Sequence, residues 1–121
     1  MGRKRTDPAG GMEIIQGTLD MLILKALIFG PRHGWHVLCW LRDQAGGELA
    51  LEEGAIYPAL YRLEKRGLIE SQWGLSENNR RAKFYQLTDR GRNELTSRGA
   101  EWARYVQVVD QIMAAPGETQ S

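Results

Sequence analysis

A helical segment at residues 55–67, AIYPALYRLEKRG, limits the folds open to this chain because two short extended segments follow it directly. Its apolar residues Ile56, Leu60 and Leu63 recur at the spacing of one helical face. Gly67 then ends the segment, since glycine readily adopts the backbone conformation that follows a helix. One face of this helix is therefore predicted to lie in the core, which leaves the opposite face to a partner.

The extended segments cover residues 68–73 and 82–87, where apolar and polar residues alternate, loosely in the first and more clearly in the second. Residues 74–81 between them, GLSENNRR, are polar and rich in turn-forming residues. This pattern predicts a β-hairpin with a long loop that carries the basic pair Arg80 and Arg81.

Further helices are predicted on both sides of these elements. The first is capped by Thr18 and ends before residues 30–31, and the second covers residues 34–45. Thr88 caps a last helix at residues 89–114. The order helix, helix, helix, hairpin, helix, with a short link between the second and third helices, predicts a winged helix-turn-helix, which is a mainly α fold with a small β-hairpin.

Composition excludes several classes of protein. The 121 residues suffice for one domain, and no apolar run reaches the roughly 18 residues that a membrane span needs. No signal peptide is recognisable, so a cytoplasmic location and no membrane partner are expected. The single cysteine, Cys39, excludes an internal disulfide and is interpreted as a small core residue, and Trp35 and Trp40 are also expected in the core.

Motifs of catalytic and metal sites are missing from the sequence. It contains neither a phosphate-binding glycine loop nor a nucleophile elbow, so the chain is not expected to be an enzyme or to need a cofactor. His33 and His36 are three residues apart but have no acidic or cysteine ligand close by, so no metal site is predicted.

The charges are unevenly distributed, although the net charge is only +1. From Arg62 to Arg92 there are eight basic and four acidic residues, a local net charge of +4, and the rest of the chain is net −3. A basic patch matters more than the total charge when the partner is a polyanion.

The outer face of the third helix is therefore a candidate DNA-binding surface. Tyr57, Pro58, Tyr61 and Arg62 lie off its apolar face, with Lys65 one turn further on. A tyrosine hydroxyl can bind phosphate, its ring can contact a sugar or a thymine methyl, and a basic side chain can reach the backbone or a base edge. The alternative is that both tyrosines are half-buried packing residues; one is expected to pack against the second helix.

The hairpin loop provides a second basic feature beside that helix. Arg80 and Arg81 lie where a wing would follow the minor groove or the phosphates. A charged loop tip can instead be merely solvated. The helix and the loop together favour DNA more strongly than either does alone.

Four segments resemble the PadR family of transcriptional regulators, especially its short members with a single C-terminal helix. These segments are GTLDMLILKAL at 17–27, GPRHGW at 30–35, GAIYPALYRLEKRGLIESQW at 54–73 and NNRRAKFYQLTDRG at 78–91. The resemblance implies a dimeric repressor that binds double-stranded DNA at an inverted-repeat operator, with the third helix in the major groove and the hairpin as the wing. The DNA contacts that it implies are Tyr57, Pro58, Tyr61 and Arg62 on the helix, and Arg80, Arg81 and Lys83 on the wing.

The last helix carries two apolar series that repeat every seven residues, as in helices that pack along one another. They predict a homodimer interface formed by Leu95, Trp102 and Val109 together with Gly99, Val106 and Met113. The alternative is that this seam packs inside its own domain. DNA readers of this type need two copies to span successive major grooves, which favours the homodimer.

Trp102 opposite Gly99 suggests a flat aromatic slot at the dimer axis. In short members of the family, a tryptophan at this place lines a pocket for planar aromatic ligands, which implies a possible effector site for a planar aromatic small molecule. The alternative is that Trp102 only fills the interface.

The predicted organisation has four parts: a disordered N-terminal tail at 1–12, a winged helix-turn-helix DNA-binding domain at 13–88, a dimerisation helix at 89–114 and a flexible tail at 115–121. The predicted function is sequence-specific repression by DNA binding, and relief by a small aromatic effector is a further hypothesis. The rival function is a winged-helix protein–protein interaction module without DNA binding. Salt dependence distinguishes the two, because DNA binding that neutralises phosphates weakens steeply with salt.

Overall fold

The computed structural model describes residues 11–118, which form four helices and a three-stranded antiparallel sheet. The strand order in the sheet is β1-β3-β2. In chain order the elements are α1 Leu19–Ala26, β1 Arg32–His33, α2 Gly34–Ala45, α3 Glu53–Lys65, β2 Ile69–Leu75, β3 Arg81–Leu87 and α4 Asp89–Ala114. This arrangement confirms the predicted winged helix-turn-helix.

The core lies between α1, α2, α3 and the base of the hairpin formed by β2 and β3. In α3 the buried positions are Ile56, Ala59, Leu60 and Leu63, which include the apolar face predicted from spacing. The remaining buried residues are Ile23, Leu24, Ala26, Leu27, Val37, Leu38, Leu41, Leu51, Leu68, Ile69, Tyr85 and Leu87. Burial of the apolar face of α3 determines which face of that helix points outward.

Thr88 joins the start of α4 to the end of α3. Its hydroxyl accepts a hydrogen bond from the Gly91 amide at 3.0 Å and donates one to the Gly67 carbonyl at 2.7 Å. The predicted cap of the last helix is thus confirmed. The predicted cap at Thr18 is wrong, because the Thr18 hydroxyl donates to the Ile15 carbonyl at 2.7 Å and caps no amide of α1.

The structure differs from the sequence-based expectation at three further places. Strand β1 was not predicted; its residues Arg32 and His33 pair with β3. Trp35 is 48% exposed at the start of α2 and lies outside the core, while Trp40 packs partly against it. The hairpin strands are longer than predicted, so only residues 76–80 remain in the loop.

The ends of the chain fall partly outside the described residues. Of the predicted tails, residues 1–10 and 119–121 lie there. Met12 forms a parallel bridge with Leu49: its amide donates to the Glu48 carbonyl and its carbonyl accepts from the Ala50 amide, both at 2.7 Å. No helix within residues 11–118 is both long enough and apolar enough to cross a membrane.

Candidate nucleic-acid interface

The outward face of α3 presents aromatic and basic side chains to solvent. Tyr61 is 63% exposed, and the Lys65 ammonium lies 5.6 Å from the centroid of the Tyr61 ring. Pro58 is the sixth residue of α3, beyond the first turn, so the Gly54 carbonyl lacks the amide partner that another residue at 58 would supply. The proline ring is exposed between the two tyrosines.

Tyr57 is the tyrosine that packs against α2. A methyl group added at Gly34, the first residue of α2, would overlap the Tyr57 ring. Burial, and then the Glu53 carboxylate, raise the pKa of the Tyr57 hydroxyl. The hydroxyl therefore stays protonated at neutral pH and can donate a hydrogen bond at the edge of the exposed face.

Arg62 borders the same face on the side of α1. Its Nη2 lies 2.9 Å from Oδ1 of Asp20 in α1, while the Arg62 side chain remains 54% exposed. Spacing along α3 predicted that Arg62 points outward, but it did not predict the partner Asp20, which is distant in sequence.

The wing brings Arg80 and Arg81 to one end of the sheet. Arg80 lies in the exposed loop, and the Arg81 guanidinium lies 4.8 Å from the centroid of the Trp73 ring on β2. Among residues 11–118, no carboxylate lies within ion-pairing distance of either arginine. Trp73, which sequence reasoning missed, gives Arg81 a flat aromatic surface to lie against.

Lys83, the third basic residue predicted on the wing, lies on β3 opposite Trp73. Its ammonium is 3.7 Å from one carboxylate oxygen of Glu64 in α3, and the Ser71 hydroxyl on β2 donates to the other at 2.6 Å. Glu64 thereby connects α3 to both strands of the wing. Lys83 was predicted on the wing, but neither its partner Glu64 nor the Ser71 hydroxyl that binds Glu64 was predicted.

A basic cleft of about 660 Å³ separates the start of α2 from the wing. His33, His36, Tyr57, Arg81 and Lys83 are among its lining residues. Burial, then the neighbouring Arg32 and His33, lower the pKa of His36, which favours a neutral imidazole. The cleft is continuous with the outward face of α3 through Tyr57, so the basic surface extends from the helix to the wing.

The predicted seam of α4 becomes progressively more exposed toward the C-terminal end of the helix. Leu95 packs partly against the core, Gly99, Trp102 and Val106 are half-buried, and Val109 and Met113 are exposed. Tyr105, Val108 and Ile112 are also exposed and extend this apolar stripe. Sequence reasoning missed these three, although their spacing of three and four residues is the signal of one helical face.

Trp102 lines a cleft of about 580 Å³ between α4 and the segment that leads into α1. The Trp102 and Tyr105 rings stack with their centroids 6.2 Å apart. A methyl group added at Gly99 would meet no atom within 4 Å. The predicted effector residue thus lies beside an open aromatic surface.

Comparison with known proteins identifies relatives over most of the chain. The family model of the transcriptional regulator PadR-like family matches residues 23–97. A transcriptional regulator from Clostridium thermocellum is 30% identical with a TM-score of 0.73, over 80% of this chain and 94% of that chain. A PadR family transcription regulator from hypervirulent Clostridium difficile is 30% identical with a TM-score of 0.71, over 81% of this chain and 100% of that chain.

The fold also matches PadR of Bacillus subtilis, whose structure was solved in complex with operator DNA. That similarity has a TM-score of 0.60 at 21% identity, over 89% of this chain and 52% of that chain. The matched family consists of transcriptional regulators, which confirms that the chain is not an enzyme. Because the family model covers more than half of its residues, the chain belongs to the PadR-like family of transcriptional regulators.

Proposed function

We propose that this chain is a cytoplasmic, sequence-specific DNA-binding repressor that acts as a homodimer on an inverted-repeat operator. The observation that carries the proposal is the exposed tyrosine-and-arginine face of α3 beside a basic wing. The Bacillus subtilis protein that shares this fold was solved with operator DNA, which supports the same class of ligand here.

In this function α3 enters the major groove and the wing lies along the adjoining backbone. Tyr57, Pro58, Tyr61, Arg62 and Lys65 face the groove, where tyrosine hydroxyls donate to phosphates and rings contact sugars or thymine methyls. Arg80 and Arg81 neutralise phosphates beside it. Lys83 reaches a phosphate only when its ion pair with Glu64 opens.

The apolar stripe of α4 is the proposed surface for binding a second copy of the chain. The helix has 26 residues, a length of about 39 Å, and its C-terminal part contacts little else in residues 11–118. A partner helix packed along Trp102, Val106, Val109 and Met113 would cover side chains that are otherwise in water. Pairing two chains would also supply the two recognition helices that an inverted repeat requires.

A planar aromatic effector is assigned to the cleft beside Trp102. Stacking on Trp102 and Tyr105 would hold a flat ligand where α4 meets the approach to α1. Binding of a planar aromatic dye should quench tryptophan fluorescence, and Trp102→Phe should reduce that quenching. Equal quenching in the variant would remove Trp102 from the site.

The test of DNA binding is a titration against a duplex from the region upstream of the protein's own gene, at several salt concentrations. Neutralised phosphates make log K fall linearly with log salt, by about 0.9 per phosphate contact. Arg80→Ala/Arg81→Ala should weaken binding and make the slope shallower by about 1.8. Arg104→Ala, which removes a charge from α4, should leave the slope unchanged.

Two results would count against the proposal. Unchanged affinity in the Arg80→Ala/Arg81→Ala protein would remove the wing from the interface. Wild-type binding that is weak and nearly independent of salt would favour the rival function, a module that binds another protein through tyrosines and apolar contacts.

A further inference from the structure

Arg62 occupies a distinct position on the DNA-facing surface. At 3.6 residues per turn, Tyr61 and Lys65 lie near the centre of the exposed face of α3, and Arg62 lies at the edge turned toward α1. There its Nη2 donates to Oδ1 of Asp20 at 2.9 Å, between residues 42 positions apart. This ion pair connects the recognition helix to α1.

Asp20 lies on a part of α1 that is held in place by the core. It is the second residue of α1, and its side chain is only 16% exposed. The partial positive charge at the start of a helix favours a carboxylate in its first turn. The fully buried Ile23 and Leu24 hold the following turn of α1 in the core, so the backbone that carries the carboxylate is fixed.

The pair leaves most of the Arg62 guanidinium available. A guanidinium has five N–H donors in a planar fork, of which Asp20 engages one, and the side chain keeps more than half of its surface exposed. That fork matches the O6 and N7 acceptors of guanine, provided that it is held in one orientation. Arg80 and Arg81 are not held by a carboxylate within the described residues and suit phosphates instead.

We propose that Asp20 is a positioning residue for DNA recognition: it orients Arg62 to read a guanine edge in the major groove and so contributes to sequence specificity without touching DNA. This inference rests on the DNA-binding function proposed above. Pairing with Asp20 also offsets the charge of Arg62, so the pair adds little to the attraction between the protein and an arbitrary DNA sequence.

Removing the carboxylate should separate specificity from affinity. In Asp20→Ala, the released Arg62 can turn to the nearest phosphate, so binding to a scrambled duplex should strengthen and its salt slope should steepen by about 0.9. The ratio of operator affinity to scrambled-duplex affinity should fall by about 5- to 150-fold, the value of one bidentate arginine–guanine pair. Asp43→Ala removes the same charge from an exposed position on α2 and should leave that ratio unchanged.

The decisive experiment is a double-mutant cycle with Asp20→Ala, Arg62→Gln and the combined protein. Affinities are measured for the upstream duplex and for a scrambled duplex of the same composition, and the free energy of unfolding is measured for each protein. Asp20→Ala should lower the affinity ratio in the wild-type background and have no effect on it in the Arg62→Gln background. If the Asp20→Ala protein does not fold, Asp20→Asn, which preserves the shape of the side chain, is used in its place.

Two outcomes would overturn the inference alone. One is an equal loss of the affinity ratio in both backgrounds, because Asp20 would then act independently of Arg62. The other is an unchanged ratio with a lowered free energy of unfolding, because the pair would then be only a brace between helices. A wild-type protein that binds both duplexes equally, without salt dependence, would refute this inference and the DNA-binding function together.

Discussion

Two glycines of α4 have opposite surroundings. A methyl group added at Gly91 would overlap the carbonyl oxygen of Leu68, and that carbonyl is held in place by the Thr88 amide at 3.1 Å. A methyl group added at Gly99 would meet no atom within 4 Å. Close packing therefore requires glycine at position 91, whereas nothing in the described chain requires it at 99.

We expect Gly91→Ala to lower the free energy of unfolding by roughly 1–3 kcal/mol, because the obstructing atom belongs to the backbone and cannot turn aside. Gly99→Ala should raise it by up to about 1 kcal/mol, since alanine is the better helix former. Urea unfolding of the two variants measures both effects. A Gly91→Ala protein as stable as wild type would contradict the packing argument, and a concentration-dependent loss in Gly99→Ala would place Gly99 against a second chain.

The carboxylate of Glu94 gives a pH-dependent contribution to stability. A hydrogen bond from Arg98 Nε, at 2.7 Å, lowers the pKa of Glu94, with Arg66 contributing less. Because the folded pKa lies below the unfolded pKa, the stabilisation is complete above the unfolded pKa and disappears as the pH falls through the folded pKa. We expect Glu94→Gln to lower the free energy of unfolding by about 0.5 kcal/mol at pH 7, because the pair is partly exposed.

Glu94→Gln should leave the free energy of unfolding unchanged at a pH where the wild-type carboxylate is protonated. Urea unfolding of both proteins at pH 7 and near pH 2 tests this expectation. An equal difference at the two pH values would show that Glu94 contributes through packing and not through its charge.

Helix α3 and the wing are joined by Glu64, which contacts one residue on each strand. If Lys83 is held by Glu64, then Glu64→Gln should release the ammonium toward DNA and steepen the salt slope by about 0.9. Ser71→Ala removes the other contact without releasing a charge, so it should lower the free energy of unfolding by about 1 kcal/mol and leave the slope unchanged. An unchanged slope in Glu64→Gln would mean that Lys83 already contacts a phosphate in the wild-type protein.

Local signals made most of the elements predictable. The predicted bounds of α2 match the structure because Gly46 adopts a positive φ of 59° directly after an apolar face. Strand β1 was missed because two residues are too few to show a period, and Arg32 and His33 become a strand only by pairing with β3. Trp35 was placed in the core wrongly: it is five residues from Trp40, which puts the two about 140° apart around the helix.

The candidate site was predictable only in part, because spacing along one element does not show contacts between different elements. Spacing within α3 shows which side chains face outward, so Tyr61 could be identified from the sequence. Asp20 and Glu64 engage Arg62 and Lys83 across different elements, and such ion pairs leave no periodic trace in the sequence. Only the structure therefore shows which basic side chains are held by a carboxylate.

In the proposed function, DNA recognition and dimer assembly fall to different parts of the molecule. The recognition face and wing lie on the compact winged domain, while the C-terminal part of α4 extends an apolar stripe that ends at Met113, which is 77% exposed. If a second copy covers this stripe, the two recognition helices are held at a fixed separation, and affinity for an inverted repeat depends on residues that contact no DNA.

Ile112 and Gln111 provide a matched pair of positions with which to test this dependence. Both are exposed and adjacent in α4, but Ile112 lies on the apolar stripe and Gln111 on the opposite side of the helix. Ile112→Asp should produce a monomer, because a charge in a helix–helix seam must be desolvated. It should bind an inverted-repeat duplex no more tightly than a half-site. Gln111→Asp adds the same charge and should remain a dimer with wild-type affinity. Sedimentation gives the mass and a titration gives the affinity; a wild-type monomer, or an Ile112→Asp dimer, would exclude this stripe as the interface.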